Sequence, residues 1–117
     1  MDVRSVHHVA FAVEDLDAAV QTYRSLFGAE VEVRGRLEAQ GVEAVYLRLG
    51  SGRVELVAPL AGDTHVGRFL ATRGPGMHHV GIGVGDVTAA VEELAANATG
   101  DLADGFRARP DVAEVLA

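Results

Sequence analysis

The chain has 117 residues, 49% hydrophobic and 23% charged, the proportions of one compact soluble domain or of two small halves sharing a core. Its formal net charge of −7 opposes a nucleic-acid partner, because binding phosphate needs a basic face. No apolar run approaches the roughly 20 residues of a bilayer-spanning helix, Met1-Asp2-Val3-Arg4 does not open a secretory signal, and there is no cysteine, so a cytoplasmic protein without membrane contact is expected.

Alternation marks residues 6–13 as a strand, with Val9, Phe11 and Val13 on one face and His8, Ala10 and Ala12 on the other. Asp15 then caps a helix whose apolar stripe is Leu16, Ala19, Val20 and Tyr23, and Gly28 ends it. Residues 30–37 alternate weakly and predict a half-exposed strand. Gln40-Gly41 turns the chain into a strand over residues 42–49, and Gly50-Ser51-Gly52 makes a hairpin turn into a strand over 53–60. The first half therefore reads β-α-β-β-β. A connector follows, with one short helix over 65–71 and a sharp break at Gly74-Pro75-Gly76. The second half opens with a strand over 77–84 and a helix capped by Asp86, with Val87, Ala90, Val91 and Leu94 as its stripe. Two short strands, over 102–109 and 112–116, complete it. A full third strand hardly fits, so either this half is abbreviated or the sequence lacks a segment.

The halves repeat one another. His7-His8-Val9-Ala10-Phe11-Ala12-Val13-Glu14-Asp15-Leu16-Asp17-Ala18-Ala19-Val20 returns as His78-His79-Val80-Gly81-Ile82-Gly83-Val84-Gly85-Asp86-Val87-Thr88-Ala89-Ala90-Val91, with 8 of 14 positions identical at an offset of 71. The second histidine of each copy shares its strand face with very small residues, Ala10 and Ala12 or Gly81 and Gly83, which leaves room for a ligand. Either each is a satisfied core histidine, or His8 and His79 contribute to one shared site. Their repetition at one register favours the site. His7 and His78 point the other way and read as structural.

Glu55 stands in the most apolar strand of the first half. It belongs either to a solvent-facing stripe with Arg53 and Val57, or to the site as a metal ligand or acid/base group, since burying a lone carboxylate is costly. Glu114 has the equivalent place in the last strand. If all four converge, two imidazoles and two carboxylates suit a borderline divalent ion such as Co, Ni, Mn, Zn or Fe. Open positions on that ion would polarise a carbonyl. Glu43, one strand earlier, is a base beside the site or an exposed charge. Arg34, Arg36, Arg48, Arg107 and Arg109 either bind an anionic substrate tail or solubilise the surface.

At these residues the chain resembles the vicinal oxygen chelate superfamily of glyoxalases, bleomycin-resistance proteins and extradiol dioxygenases, and within it most nearly the methylmalonyl-CoA epimerases. The resemblance spans residues 5–96. It rests on His8-Val9-Ala10-Phe11-Ala12-Val13, Gln40-Gly41-Val42, Leu47-Arg48-Leu49-Gly50, Glu55-Leu56-Val57-Ala58-Pro59-Leu60, Asp63-Thr64-His65-Val66-Gly67-Arg68-Phe69-Leu70 and Arg73-Gly74-Pro75-Gly76-Met77-His78-His79-Val80. It implies an α+β fold of paired βαβββ modules forming a cupped mixed sheet. One such domain would cover residues 1–117, with module one at 5–60, a connector at 61–76 and module two at 77–117.

The resemblance also implies that His8, Glu55, His79 and Glu114 hold a divalent metal ion. Position 55 is where the epimerases usually place glutamine and the glyoxalases glutamate. Glu114 would double as an acid/base, with Glu43 as the second nominee. Where some epimerases carry a second glutamate this chain has Ala44, and Glu43 stands one position early, a shift that turns a strand side chain to the other face. The expected activity is epimerisation of a methylmalonyl-CoA-like acyl-CoA thioester, by removal and return of the proton between its two carbonyl groups. A glyoxalase-like lyase or isomerase is the alternative within enzymes. A non-catalytic drug-binding protein is the alternative outside them. A homodimer is expected, because an open sheet leaves edges and apolar surface exposed.

Overall fold

A computed structural model describes residues 1–98, 106–109 and 112–116 of the protein. Among them the α+β order is β1 (Val3–Ala12), α1 (Leu16–Phe27), β2 (Glu30–Leu37), β3 (Val42–Leu49), β4 (Gly52–Pro59), α2 (His65–Arg73), β5 (Gly76–Val84), α3 (Val87–Asn97), β6 (Phe106–Arg109) and β7 (Val112–Leu116). The first module is β-α-β-β-β as the patterning predicts. The second has two strands after its helix, and the part of the predicted strand at 102–105 lies outside the described residues. The chain divides into two compact units, one of residues Ala10–His78 and one of Met1–Val9 with His79–Ala117.

In the unit of residues Ala10–His78 the strand order is β2-β3-β4-β1. The side chain of Asp15 accepts from the amide of Ala18 at 3.0 Å and starts α1, and Gly28 ends the helix in the left-handed region. The amphipathic stripe of α1 buries Leu16 and Val20 with Val45, Leu47, Leu56 and Ala58, and Phe11, Val13 and Tyr23 pack against that cluster. The opposite strand face buries Ala12, Val42, Ala44 and Val57 beneath Val66 and Leu70 of α2. Strands β1, β3 and β4 therefore contribute alternate residues to two different apolar clusters. The helix predicted over 65–71 runs two residues further. Thr64 caps it through a 3.1 Å bond from the Gly67 amide, and Gly74 closes it at positive φ. Strand β2, expected to be half-exposed, is solvent-exposed from Glu30 to Arg36 and has only β3 as a neighbour, so little of it is buried.

In the other unit the order is β1-β5-β7-β6. Here β1 begins three residues before the predicted start. Val3, Arg4, Ser5 and Val6 are all exposed, so no burial pattern marks them, and backbone pairing alone makes them a strand. Just beyond β5, the amide of Gly85 donates to the carbonyl of Asp2 at 2.9 Å. Strands β5 and β7 pair antiparallel, with His79 opposite Leu116 and Gly81 opposite Glu114. The side chain of Asp86 accepts from the Ala89 amide at 3.0 Å, repeating the cap of α1.

Candidate functional site

The strand faces decide which side chains reach one place. In β1, His8 is buried as Ala10 and Ala12 are, whereas Val9 and Phe11 are only partly so. His79 is buried on β5, and its Nε2 lies 3.1 Å from Nε2 of His8, with the rings nearly perpendicular. Two histidines at the same place in the repeat thus direct the same nitrogen at each other. They can do so because position 81 is glycine. A β-carbon there would overlap the imidazole of His8, so the ring occupies space that any other residue would fill. Gly81 is also the residue whose backbone pairs with that of Glu114. The second nitrogen of His8, Nδ1, lies 2.8 Å from Nδ1 of His7.

In the unit of residues Ala10–His78, Glu55 is fully buried (0% exposed), which removes the reading of it as a solvent-facing charge. It pairs across β3–β4 with Tyr46, and the next rung on that face pairs Arg48 with Arg53. Arg53 forms bonds of 3.0 and 3.2 Å to the carboxylate of Glu32 and lies over the Tyr46 ring at 5.9 Å. The hydrogen bond to Glu32 holds the Arg53 guanidinium above its ordinary pKa. Arg48 also reaches Glu32, at 3.5 Å.

Glu43 is placed differently. Alternation along β3 puts it with Val45 and Leu47, on the α1 side, and Ala44 with Tyr46 on the side of Glu55. Its carboxylate accepts from Arg34 at 3.0 Å, and Arg34 also donates to Asp17 on α1 at 2.7 Å. These two bonds, that to Glu43 first, raise the pKa of the guanidinium. Arg36 is paired with Glu38, while Arg107 and Arg109 lie on β6. The structure therefore does not bring Glu43 together with Glu55.

His78, read from the sequence as structural, is buried with its ring 5.0 Å from those of both His65 and Phe69 on α2. Neither these ring contacts nor the His7–His8 pair can be found by alternation, because they depend on where the rings turn. Among the described residues, His8 and His79 supply two buried imidazoles in one unit, and Glu55 is a buried carboxylate of the other. Two imidazole nitrogens 3.1 Å apart are donors of a kind that suits a borderline divalent ion.

Residues 7–109 match the glyoxalase/bleomycin resistance protein/dioxygenase superfamily, and the chain belongs to it. Within that superfamily the chain is 39% identical over 90 residues to the mitochondrial methylmalonyl-CoA epimerase of Homo sapiens, an alignment covering 76% of this chain and 51% of the relative. It is 36% identical over 90 residues to the ethylmalonyl-CoA/methylmalonyl-CoA epimerase of Cereibacter sphaeroides, covering 76% and 67%. A solved structure of methylmalonyl-CoA epimerase in complex with methylmalonyl-CoA and NH4+ superimposes with a TM-score of 0.80 at 32% identity, over 92% of this chain and 79% of that one. The chain spans about half the length of the curated mammalian relatives it matches. No helix among the described residues is long and apolar enough to cross a membrane.

Proposed function

We propose that the protein epimerises methylmalonyl-CoA-like thioesters by taking and returning the proton on the carbon between thioester and carboxylate. The observation that carries this reading is the convergence of His8 and His79 at 3.1 Å over a glycine, in a chain similar to epimerases of that substrate class. Residues 5–60 and 77–117 would be the two modules of one domain, joined by 61–76. The cytoplasm is its proposed setting. Homodimerisation is proposed with it, supported by the exposed Val31 and Val33 of β2 and by Leu26 and Phe27 at the end of α1.

His8, Glu55 and His79 are the proposed ligands of a divalent ion, with Glu114 as the fourth. That ion, Co, Ni, Mn, Zn or Fe, would supply Lewis acidity toward the substrate carbonyl oxygen. The imidazoles serve as neutral donors in this scheme, and burial keeps water from competing for them. Glu114 is the proposed proton acceptor, supported by its backbone register against Gly81. Glu43 was the other nominee from the sequence. Its position on the α1 side and its bond from Arg34, which also donates to Asp17, favour a structural role for it.

The test is exchange at the substrate. Metal-loaded protein in deuterated water is expected to place deuterium on the acidic carbon of methylmalonyl-CoA well above the uncatalysed background. In the same assay Glu43→Gln should retain activity within a few-fold, because its partner Arg34 is a solvent-exposed cation on the α1 side and such pairs contribute little. A tenfold or larger loss would restore Glu43 as an acid/base group. No uptake by metal-loaded protein would end the epimerase reading and favour a glyoxalase-like enzyme, as glutamate at position 55 suggests.

A further inference from the structure

Adjacent residues of a strand point to opposite faces, so neighbouring histidines should not meet. Yet His7 and His8 bring their Nδ1 atoms to 2.8 Å, with ring centroids 5.1 Å apart and planes at 84°. A bond between two ring nitrogens needs one N–H and one lone pair. Which nitrogen holds the proton follows from the other side of the ring. His8 directs Nε2 at His79, so a ligand role requires the lone pair at Nε2 and the proton at Nδ1. His7 must then accept at its own Nδ1 and carry its proton on Nε2.

We infer that His7 is a positioning residue. It accepts the Nδ1–H of His8, fixes the tautomer of that ring and holds Nε2 toward the ion. This rests on the metal-site reading given above. The repeat makes the inference specific, because the equivalent His78 turns its ring to within 5.0 Å of His65 and Phe69 on α2. Two identical dipeptides are thus used in two ways: the first histidine of one orients a ligand, and that of the other packs against the connector helix.

Co(II) titration of the metal-free full chain, followed by calorimetry and by the visible absorption of the bound ion, tests this in wild type, His7→Leu and His7→Asn. Loss of an outer hydrogen-bond partner typically weakens metal binding about 10- to 100-fold, which is the effect expected of His7→Leu, together with a changed absorption band. Asparagine offers an amide oxygen near the former Nδ1 and should recover most of the affinity. Binding of Co(II) by His7→Leu with wild-type affinity and spectrum would overturn the role of His7 and leave the metal site standing. Failure of the wild type to bind Co(II) would overturn both. A readout independent of variant folding is the ring-nitrogen NMR spectrum of the Zn(II)-loaded wild type. It should show His8 protonated at Nδ1 and His7 at Nε2, and a proton on His8 Nε2 would refute the inference.

Discussion

Replacing His79 with alanine is expected to abolish retention of a divalent ion and to lower deuterium uptake into methylmalonyl-CoA by about 10²- to 10³-fold or more, the usual consequence of losing electrostatic stabilisation of a developing oxyanion. His79 is fully buried, and its Nε2 is one of the two nitrogens that face each other at 3.1 Å. In the proposed ligand set its removal leaves one imidazole with the carboxylates of Glu55 and Glu114, donors less suited to hold a borderline ion against water. Folding has to be separated from chemistry here. A ligand that binds the folded state at 100 times its Kd stabilises it by about 2.7 kcal/mol, so wild type should melt several degrees higher with Co(II) than without. His79→Ala should melt at one temperature in both conditions. A variant that keeps both the metal-dependent shift and the exchange activity would exclude His79 from the site.

Gly81→Ala is the smallest substitution with a large expected effect. The added β-carbon would overlap the His8 imidazole, so either the ring rotates out of its place or β1 moves away from β5. Forcing a methyl group into a packed position costs about 1–3 kcal/mol, and the displaced ligand should cost most of the metal affinity as well. Gly83→Ala provides the control on the same strand. There the nearest atom to a new β-carbon is Ser5 Oγ at 2.7 Å, the end of a short side chain that can rotate away. The Gly83 variant should therefore keep its ion and lose little stability. Thermal melts and Co(II) titration of the two variants read both effects, and equal behaviour of the pair would refute the argument from ring placement.

Periodicity and capping chemistry carried much of this fold into view. Asp15 and Asp86 start their helices as read, because a carboxylate before an apolar stripe has few other local uses. The fate of Glu55 was open between surface and site until its burial was known, since alternation assigns a face without saying what covers it. The difference between Glu43 and Ala44 was legible as a one-residue shift, and strand register turns that shift into opposite faces. What patterning could not reach were the contacts made by ring rotation, His7 to His8 and His78 to His65 and Phe69. Likewise, the first three residues of β1 are strand through backbone pairing, and no side-chain pattern records that.

The division of β1 bears on how the protein comes into being. The unit containing both His8 and His79 is discontinuous: its opening nine residues are separated from the remainder by the 69 residues from Ala10 to His78. During synthesis β1 emerges before its partner β5, which is made only after that whole intervening segment. The entropic cost of closing such a long loop grows only with the logarithm of its length, so thermodynamic stability suffers little, whereas the rate of folding carries the burden of distant pairing. The two imidazoles can meet only after the ribosome has translated His79, 71 residues beyond His8. A sequence that looks like two interchangeable modules thus encodes an obligatory order of assembly, in which β1 waits for β5.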